Sequence, residues 1–128
     1  MTETAKQRLQ IGIFYAWVGL ILIGSFIRVP PMKAIDKLHP DIVFHSAMYV
    51  VLAILGFSPF GWWSIMPCIV VGAGTEIAQH FMPYRSESLS DFGVDMAGVA
   101  LGLIISNIIF LFRRSRFRRA ESIREFKD

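Results

Sequence analysis

Residues 74–102 have the sequence GTEIAQHFMPYRSESLSDFGVDMAGVALG, in which ionisable side chains lie between two apolar runs. These runs continue outward to Trp62 on one side and to Phe112 on the other. A helix of roughly 20 apolar residues is long enough to cross a bilayer. A charge near the bilayer centre is costly, by about 3 kcal/mol on the lower estimates, so such groups usually mark a functional site. The stretch therefore predicts two membrane-spanning helices that carry a functional site where they meet.

The whole chain has the composition of a membrane protein. Its 128 residues are 54% hydrophobic, and the apolar residues form long blocks rather than a helix-face or strand pattern. A chain of this length holds one domain. We predict an all-α fold, an integral membrane four-helix bundle, with spans near residues 10–27, 41–57, 62–81 and 91–112 and a basic tail at 113–128.

Basic residues are distributed unevenly between the two sides of this predicted bundle. Lys6, Arg8 and seven Lys or Arg residues after Phe112 lie near the termini, whereas four lie in the loops on the other side. Because cytoplasmic segments carry an excess of Lys and Arg, both termini are predicted to be cytoplasmic. A basic tail can also indicate nucleic-acid binding. Directly after a membrane span we favour contact with anionic lipids instead, and we predict no nucleic-acid partner.

Polar residues of three predicted spans reach the same depth, near the outer face of the membrane. Asp41, His45 and Tyr49 recur every four residues and so share one helix face. The cytoplasmic halves of the spans lack ionisable residues. We therefore predict one polar pocket that opens outward, formed by Asp41, His45, Tyr49, Glu76, Gln79, His80, Arg85, Asp91 and Asp95.

The residue types in this pocket suit acid–base or metal-assisted chemistry. We predict His45, Glu76 and Asp91 as catalytic residues, because imidazole and carboxylate groups transfer protons. Asp91, Asp95 and Glu76 are the predicted metal ligands, because carboxylate oxygens bind hard divalent cations. The sequence does not identify the cofactor; a divalent cation such as Mg²⁺ or Mn²⁺ would suit these carboxylates.

Four further residues are predicted to bind the substrate: Arg85, Gln79, Tyr49 and Asp41. Arg85 suits phosphate, since a guanidinium group makes two parallel hydrogen bonds to it. Three of these residues also have a structural interpretation. Asp41 could cap the second helix, Tyr49 could be a packing residue, and Arg85 could form a salt bridge with Asp91 that holds the loop.

Three segments resemble the VanZ-like family of small bacterial membrane proteins. They are DIVFHSAMYVVL at residues 41–52, EIAQHFMPYR at 76–85 and DFGVDMAGVALG at 91–102. The family's corresponding segments are D-K-x-x-H-x-x-x-Y-x-x-L, E-x-x-Q-x-F-x-P-x-R and D-x-x-x-N-x-x-G-x-x-x-G. The chain departs from them at Ile42, where the family has Lys, and at Asp95, where the family has Asn. The last segment contains a G-x-x-x-G pair, which permits close helix contact.

The resemblance implies a single VanZ-like domain in the bacterial cytoplasmic membrane with a role in the cell envelope. The family's name-giving member is associated with resistance to teicoplanin, but the resemblance supplies no known reaction. One hypothesis is an enzyme that acts on a phosphate-bearing envelope lipid. The other is a non-catalytic factor that binds a lipid or glycopeptide-type ligand and modulates antibiotic susceptibility. An ion-coupled carrier has less support, because four helices are few for that task unless the chain forms a homo-oligomer.

Overall fold

The computed structural model describes residues 2–26, 40–81 and 89–125. These residues form α-helices and one short 3₁₀ helix, and they contain no strand, so the prediction of an all-α fold is confirmed. In chain order the elements are α1 (Glu3–Phe26), α2 (Pro40–Phe60), the 3₁₀ helix (Gly61–Ser64), α3 (Ile65–His80) and α4 (Leu89–Glu125).

Three helical runs of the described residues are long and apolar enough to cross a membrane: Glu3–Phe26, Val43–His80 and Ser90–Arg119. Large apolar side chains on them face outward; Ile23 is 62% exposed and Val70 is 70% exposed. Apolar surface of this extent is typical of helices surrounded by lipid rather than water. By the length and composition of its helices, the chain is a multi-pass membrane protein. The run Val43–His80 contains both α2 and α3, so the predicted count of four spans stays a prediction.

The chain reverses direction within this run, at Gly61. Gly61 has φ of 58°, a left-handed conformation that glycine adopts readily because it has no Cβ. The hydroxyls of Tyr49 on α2 and Thr75 on α3 are 3.1 Å apart. A straight helix would separate these residues, 26 positions apart in the chain, by about 39 Å. The two helices therefore lie side by side and antiparallel.

Helix α1 also packs antiparallel to α2. The rings of Phe14 and Phe60 meet edge to face with centroids 5.5 Å apart. Further along α1 and earlier along α2, the Trp17 indole N–H donates a hydrogen bond to the carbonyl of Met48 at 3.1 Å. Helix α2 thus lies at the centre of the structure. The buried apolar core around it consists of Phe14, Ile21, Tyr49, Leu52, Ala53, Cys68, Val99 and Leu103.

Helices α2 and α4 make the most extensive contact of any helix pair in the described residues. A Cβ added at Gly98 would lie 2.6 Å from the carbonyl oxygen of Ser46, and one at Gly102 would lie 2.5 Å from that of Val50. Four residues along α4 thus correspond to four residues along α2 in the same direction, so the helices are parallel. The backbones of the two helices approach closely at the G-x-x-x-G pair, where a side chain would not fit.

Two helices extend beyond the predicted spans. Helix α1 begins at Glu3 instead of residue 10. Helix α4 continues to Glu125, so it includes most of the predicted tail at 113–128. The length of an apolar run determines how much of a helix can lie in lipid. It does not determine where the helix itself begins or ends. The polar segments at these two ends are rich in Arg and Glu, which favour helix, and no Pro or Gly follows Gly102 in α4.

Candidate functional site

A chain of hydrogen bonds joins α2 to α3 inside the predicted site. The Thr75 hydroxyl donates to the Gly72 carbonyl of its own helix at 2.8 Å. Because a hydroxyl has a single proton to donate, the Tyr49 hydroxyl must be the donor in its 3.1 Å contact with Thr75. Tyr49 is only 1% exposed. The predicted substrate-binding residue Tyr49 is thus already engaged in a helix-to-helix hydrogen bond.

Two acidic residues, one on α3 and one on α4, lie within electrostatic range of this tyrosine. Asp95 of α4 is 3% exposed, and Glu76 of α3 is half-buried. Both carboxyl groups act electrostatically on the Tyr49 hydroxyl. Each of these two acids has an interaction partner, and so does His45. Helices α2, α3 and α4 therefore each contribute a polar side chain to this region, and the function predicted for it stays a prediction.

Gln79 and His45 extend this cluster toward the end of the bundle. Gln79 is 6% exposed and lies one turn beyond Thr75 on the buried face of α3. His45 is half-buried and lies one turn before Tyr49 on α2. Since α2 and α3 are antiparallel and Tyr49 lies opposite Thr75, Gln79 and His45 are at the same level. We define the polar cluster as His45, Tyr49, Thr75, Glu76, Gln79 and Asp95.

Of the other predicted site residues, two are exposed and two cannot be assigned to this cluster or excluded from it. Asp91 is exposed at the start of α4, one turn outside Asp95. His80 is exposed and its ring packs edge to face against Phe81 at 5.4 Å. The side chain of Asp41 and the whole of Arg85 lie outside the described residues. Their predicted roles in substrate binding stay predictions.

The described residues do not support the predicted metal site. Among them, no group of three or more His, Cys, Asp or Glu side chains is placed to hold a metal ion. Of the predicted ligands, Asp91 faces the surface, whereas Asp95 is enclosed by the helices and Glu76 lies at the edge of the interface. A cation such as Mg²⁺ or Mn²⁺ therefore stays a prediction from the sequence.

Thr75 is a member of the polar cluster that the sequence reasoning missed. Its signal is the spacing of Cys68, Gly72, Thr75 and Gln79, which recur at intervals of four, three and four residues and form the buried face of α3. Attention to charge alone selected the neighbouring residue Glu76. Thr75 could have been identified from the sequence, because its hydroxyl lies on the same helix face as the amide of Gln79.

A cavity of about 370 Å³ lies at the opposite end of the structure. Glu3, Lys6 and Gln10 of α1 and Ser58 and Pro59 of α2 are among the residues that line it. It is therefore formed by the start of α1 and the end of α2. Its α2 residues lie more than two helical turns beyond Tyr49. The sequence did not predict a cavity there.

Comparison with known proteins adds no further assignment. No protein-family model, no curated protein and no solved structure matches this chain. The resemblance to the VanZ-like family accordingly stays a prediction that depends on three short segments.

Proposed function

We propose that this chain is a cell-envelope membrane protein that binds the polar head group of an envelope lipid at the polar cluster. The observation that supports this most is the convergence of polar groups from three helices on Tyr49. Polar and acidic residues among apolar helices are costly, and they are usually found where they serve a functional site. The likeness of residues 41–102 to the VanZ-like family supports the same envelope role.

The proposal includes a topology of four spans in the bacterial cytoplasmic membrane. The antiparallel packing of α1 on α2 and of α3 on α2, with α4 parallel to α2, supports a proposal of four alternating crossings. This arrangement has the start of α1 and the basic end of α4 on one side, which the excess of Lys and Arg identifies as cytoplasmic. The polar cluster then lies toward the outer face of the membrane. The head groups of lipids that carry envelope precursors are found at that face.

The chemistry of the cluster suggests which part of a head group it binds. Carboxylates accept hydrogen bonds from sugar hydroxyls, amide and hydroxyl groups both accept and donate them, and carboxylates attract ammonium groups. Arg85, which the sequence predicts as a substrate-binding residue, has the side chain that suits a phosphate, because a guanidinium group makes two parallel hydrogen bonds to it. The proposed ligand is thus a lipid whose phosphate carries a sugar or an amine.

Catalysis is the second candidate function, and the half-burial of His45 and Glu76 favours it. Both side chains are partly accessible at the edge of the cluster, whereas Tyr49 and Asp95 are enclosed. An accessible imidazole and an accessible carboxylate could act as acid and base on a bound lipid. The two functions differ only in whether product forms. One is enzymatic action on a phosphate-bearing envelope lipid, and the other is passive binding that alters susceptibility to glycopeptide antibiotics.

The test measures binding and turnover on the same samples. Purified protein in nanodiscs is incubated with lipid-linked sugar phosphates, with and without Mg²⁺ or Mn²⁺, and bound lipid and product are quantified by mass spectrometry. Hydrogen bonds to charged groups are worth about 1.5–3 kcal/mol, so Glu76→Gln should weaken binding about 10- to 100-fold. Glu3→Gln, an exposed acid at the other end, is the matched control and should have no effect. His45→Ala should remove turnover if the protein is an enzyme. Unchanged binding by both Glu76→Gln and Asp95→Asn would reject the proposed site.

A further inference from the structure

Helix α4 continues well past the apolar part of the chain. It contains 37 residues, which is about 55 Å of helix, whereas the hydrocarbon core of a bilayer is about 30 Å thick. The last residue of its apolar block is Phe112, whose carbonyl accepts a 2.9 Å hydrogen bond from the Ser115 hydroxyl. The helix is thus intact across the point where the sequence changes from apolar to basic. The exposed residues just beyond it include Arg113, Arg114, Arg116, Arg118 and Arg119.

These arginines surround the helix instead of forming one face. At 3.6 residues per turn, five arginines within seven residues point in all directions from the axis. A helix that lies flat on a membrane needs a continuous apolar face opposite its basic face. Phe117, which is 67% exposed, is the one large apolar residue between Arg113 and Arg119. The segment therefore suits an upright helix that leaves the membrane through the head groups.

One phenylalanine links Trp62 to the end of α4 at which these arginines begin. The ring of Phe57 contacts the ring of Trp62 at 5.9 Å and the ring of Phe110 at 6.5 Å between centroids. Arg113 and Arg114 are three and four residues beyond Phe110, so they lie one turn further on the same side of α4. Trp62 is 56% exposed, and Trp is enriched where helices meet the membrane surface. An indole and two guanidinium groups therefore share one side of the structure at the membrane interface.

Depth along the helix distinguishes the arginines that can reach lipid phosphates. The head-group region of each leaflet is about 5–8 Å thick. Arg113 and Arg114 lie within about 3 Å of Phe112 along the axis, whereas Arg124 lies about 18 Å beyond it. Charges further apart than about 8 Å are largely screened at physiological ionic strength. Arg124 is thus a matched control with the same charge on the same helix.

We propose that Trp62, Arg113 and Arg114 form a docking site for the head group of an anionic phospholipid such as phosphatidylglycerol. Guanidinium groups pair with the phosphate through two parallel hydrogen bonds. The indole ring of Trp62 lies against the glycerol region, with its N–H available to the ester oxygens. The site is at the opposite end of the bundle from the polar cluster, so it does not depend on the function proposed for that cluster.

The test uses the tryptophan as the reporter. The full chain is reconstituted in vesicles of phosphatidylcholine and phosphatidylglycerol, and either lipid carries brominated acyl chains, which quench tryptophan fluorescence at short range. Subtracting the signal of a Trp62→Phe variant isolates Trp62 from Trp17 and Trp63. Brominated phosphatidylglycerol should quench Trp62 more strongly than brominated phosphatidylcholine. The ratio of the two association constants should fall about fivefold for each of Arg113→Gln and Arg114→Gln, and it should not change in Arg124→Gln.

Several outcomes would overturn the site. Equal quenching by the two lipids would exclude a preference for anionic head groups, and an unchanged ratio in the Arg113→Gln, Arg114→Gln double variant would exclude these arginines. A loss of the preference when short single-stranded RNA is added at physiological salt would assign the arginines to nucleic acid instead. If the double variant does not fold, the wild-type chain still decides: about 1 M salt, where the Debye length is about 3 Å, should reduce the preference.

Discussion

The contact of α2 with α4 leads to a quantitative prediction for Gly102→Ala. A Cβ at this position would lie 2.5 Å from the carbonyl oxygen of Val50 and 2.8 Å from the Cβ of Ala53. Unstrained contacts between carbon atoms are about 3.5–4.0 Å long, so the two helices would have to separate locally by about 1 Å. Overpacking of this kind costs about 1–3 kcal/mol. Alanine recovers up to about 1 kcal/mol through its higher helix propensity.

After subtraction of about 1 kcal/mol for helix propensity, the expected net loss is up to about 2 kcal/mol, which lowers the ratio of folded to unfolded protein by up to about 30-fold. Equilibrium unfolding in mixed micelles, with a rising mole fraction of dodecyl sulfate and circular dichroism as the readout, measures this loss. Gly93→Ala is the matched control: it lies on the same helix, and an added Cβ there meets nothing within 4 Å. Gly93→Ala should be as stable as the wild type or slightly more stable. If Gly102→Ala unfolds at the same mole fraction as Gly93→Ala, the backbones of α2 and α4 are not in close contact.

The same unfolding assay tests two further features. Tyr49→Phe removes the hydrogen bond to Thr75 and keeps the ring, so it should lower the free energy of unfolding by about 1 kcal/mol; Tyr15→Phe, at a side chain that is 61% exposed, should change nothing, and equal stability of the two variants would refute the bond. Gly61→Ala requires a side chain at φ of 58° and should cost about 1–2 kcal/mol, whereas Gly74→Ala, with open space around it in α3, should cost nothing. A Gly61→Ala variant as stable as Gly74→Ala would show that the chain does not turn through a left-handed residue there.

The helix class was predictable because a bilayer leaves few alternatives. Backbone groups in lipid must form their hydrogen bonds within the chain, which a helix does along its own length. Apolar blocks of sufficient length therefore indicated helices without knowledge of their neighbours. The ends were less predictable, since Glu3 and Glu125 lie in polar segments whose residues also favour helix. The length of an apolar run indicates where a helix leaves the lipid. It does not indicate where the helix ends in water.

Helix spacing predicted which residues share a helix face, but it could not predict which of them the neighbouring helices bury. Spacing alone placed His45 and Tyr49 on one face of α2, and the structure joins that face to α3 and α4. Spacing could not show that Asp95 is enclosed while Asp91, one turn away, is exposed. That difference depends on where the neighbouring helices end. Nor could charge reveal Thr75, because its role is to accept a hydrogen bond from another helix.

The sequence by itself determined that this chain forms apolar helices able to cross a membrane, and that their polar residues concentrate toward one end. Helix period and bilayer thickness are local constraints, so they can be evaluated from neighbouring residues alone. Only the tertiary structure decided that the chain reverses at Gly61, that α2 and α4 run parallel at Gly98 and Gly102, and which acid is buried. These features depend on contacts between residues distant in the chain, and close backbone packing is decided by the shape of both helices together.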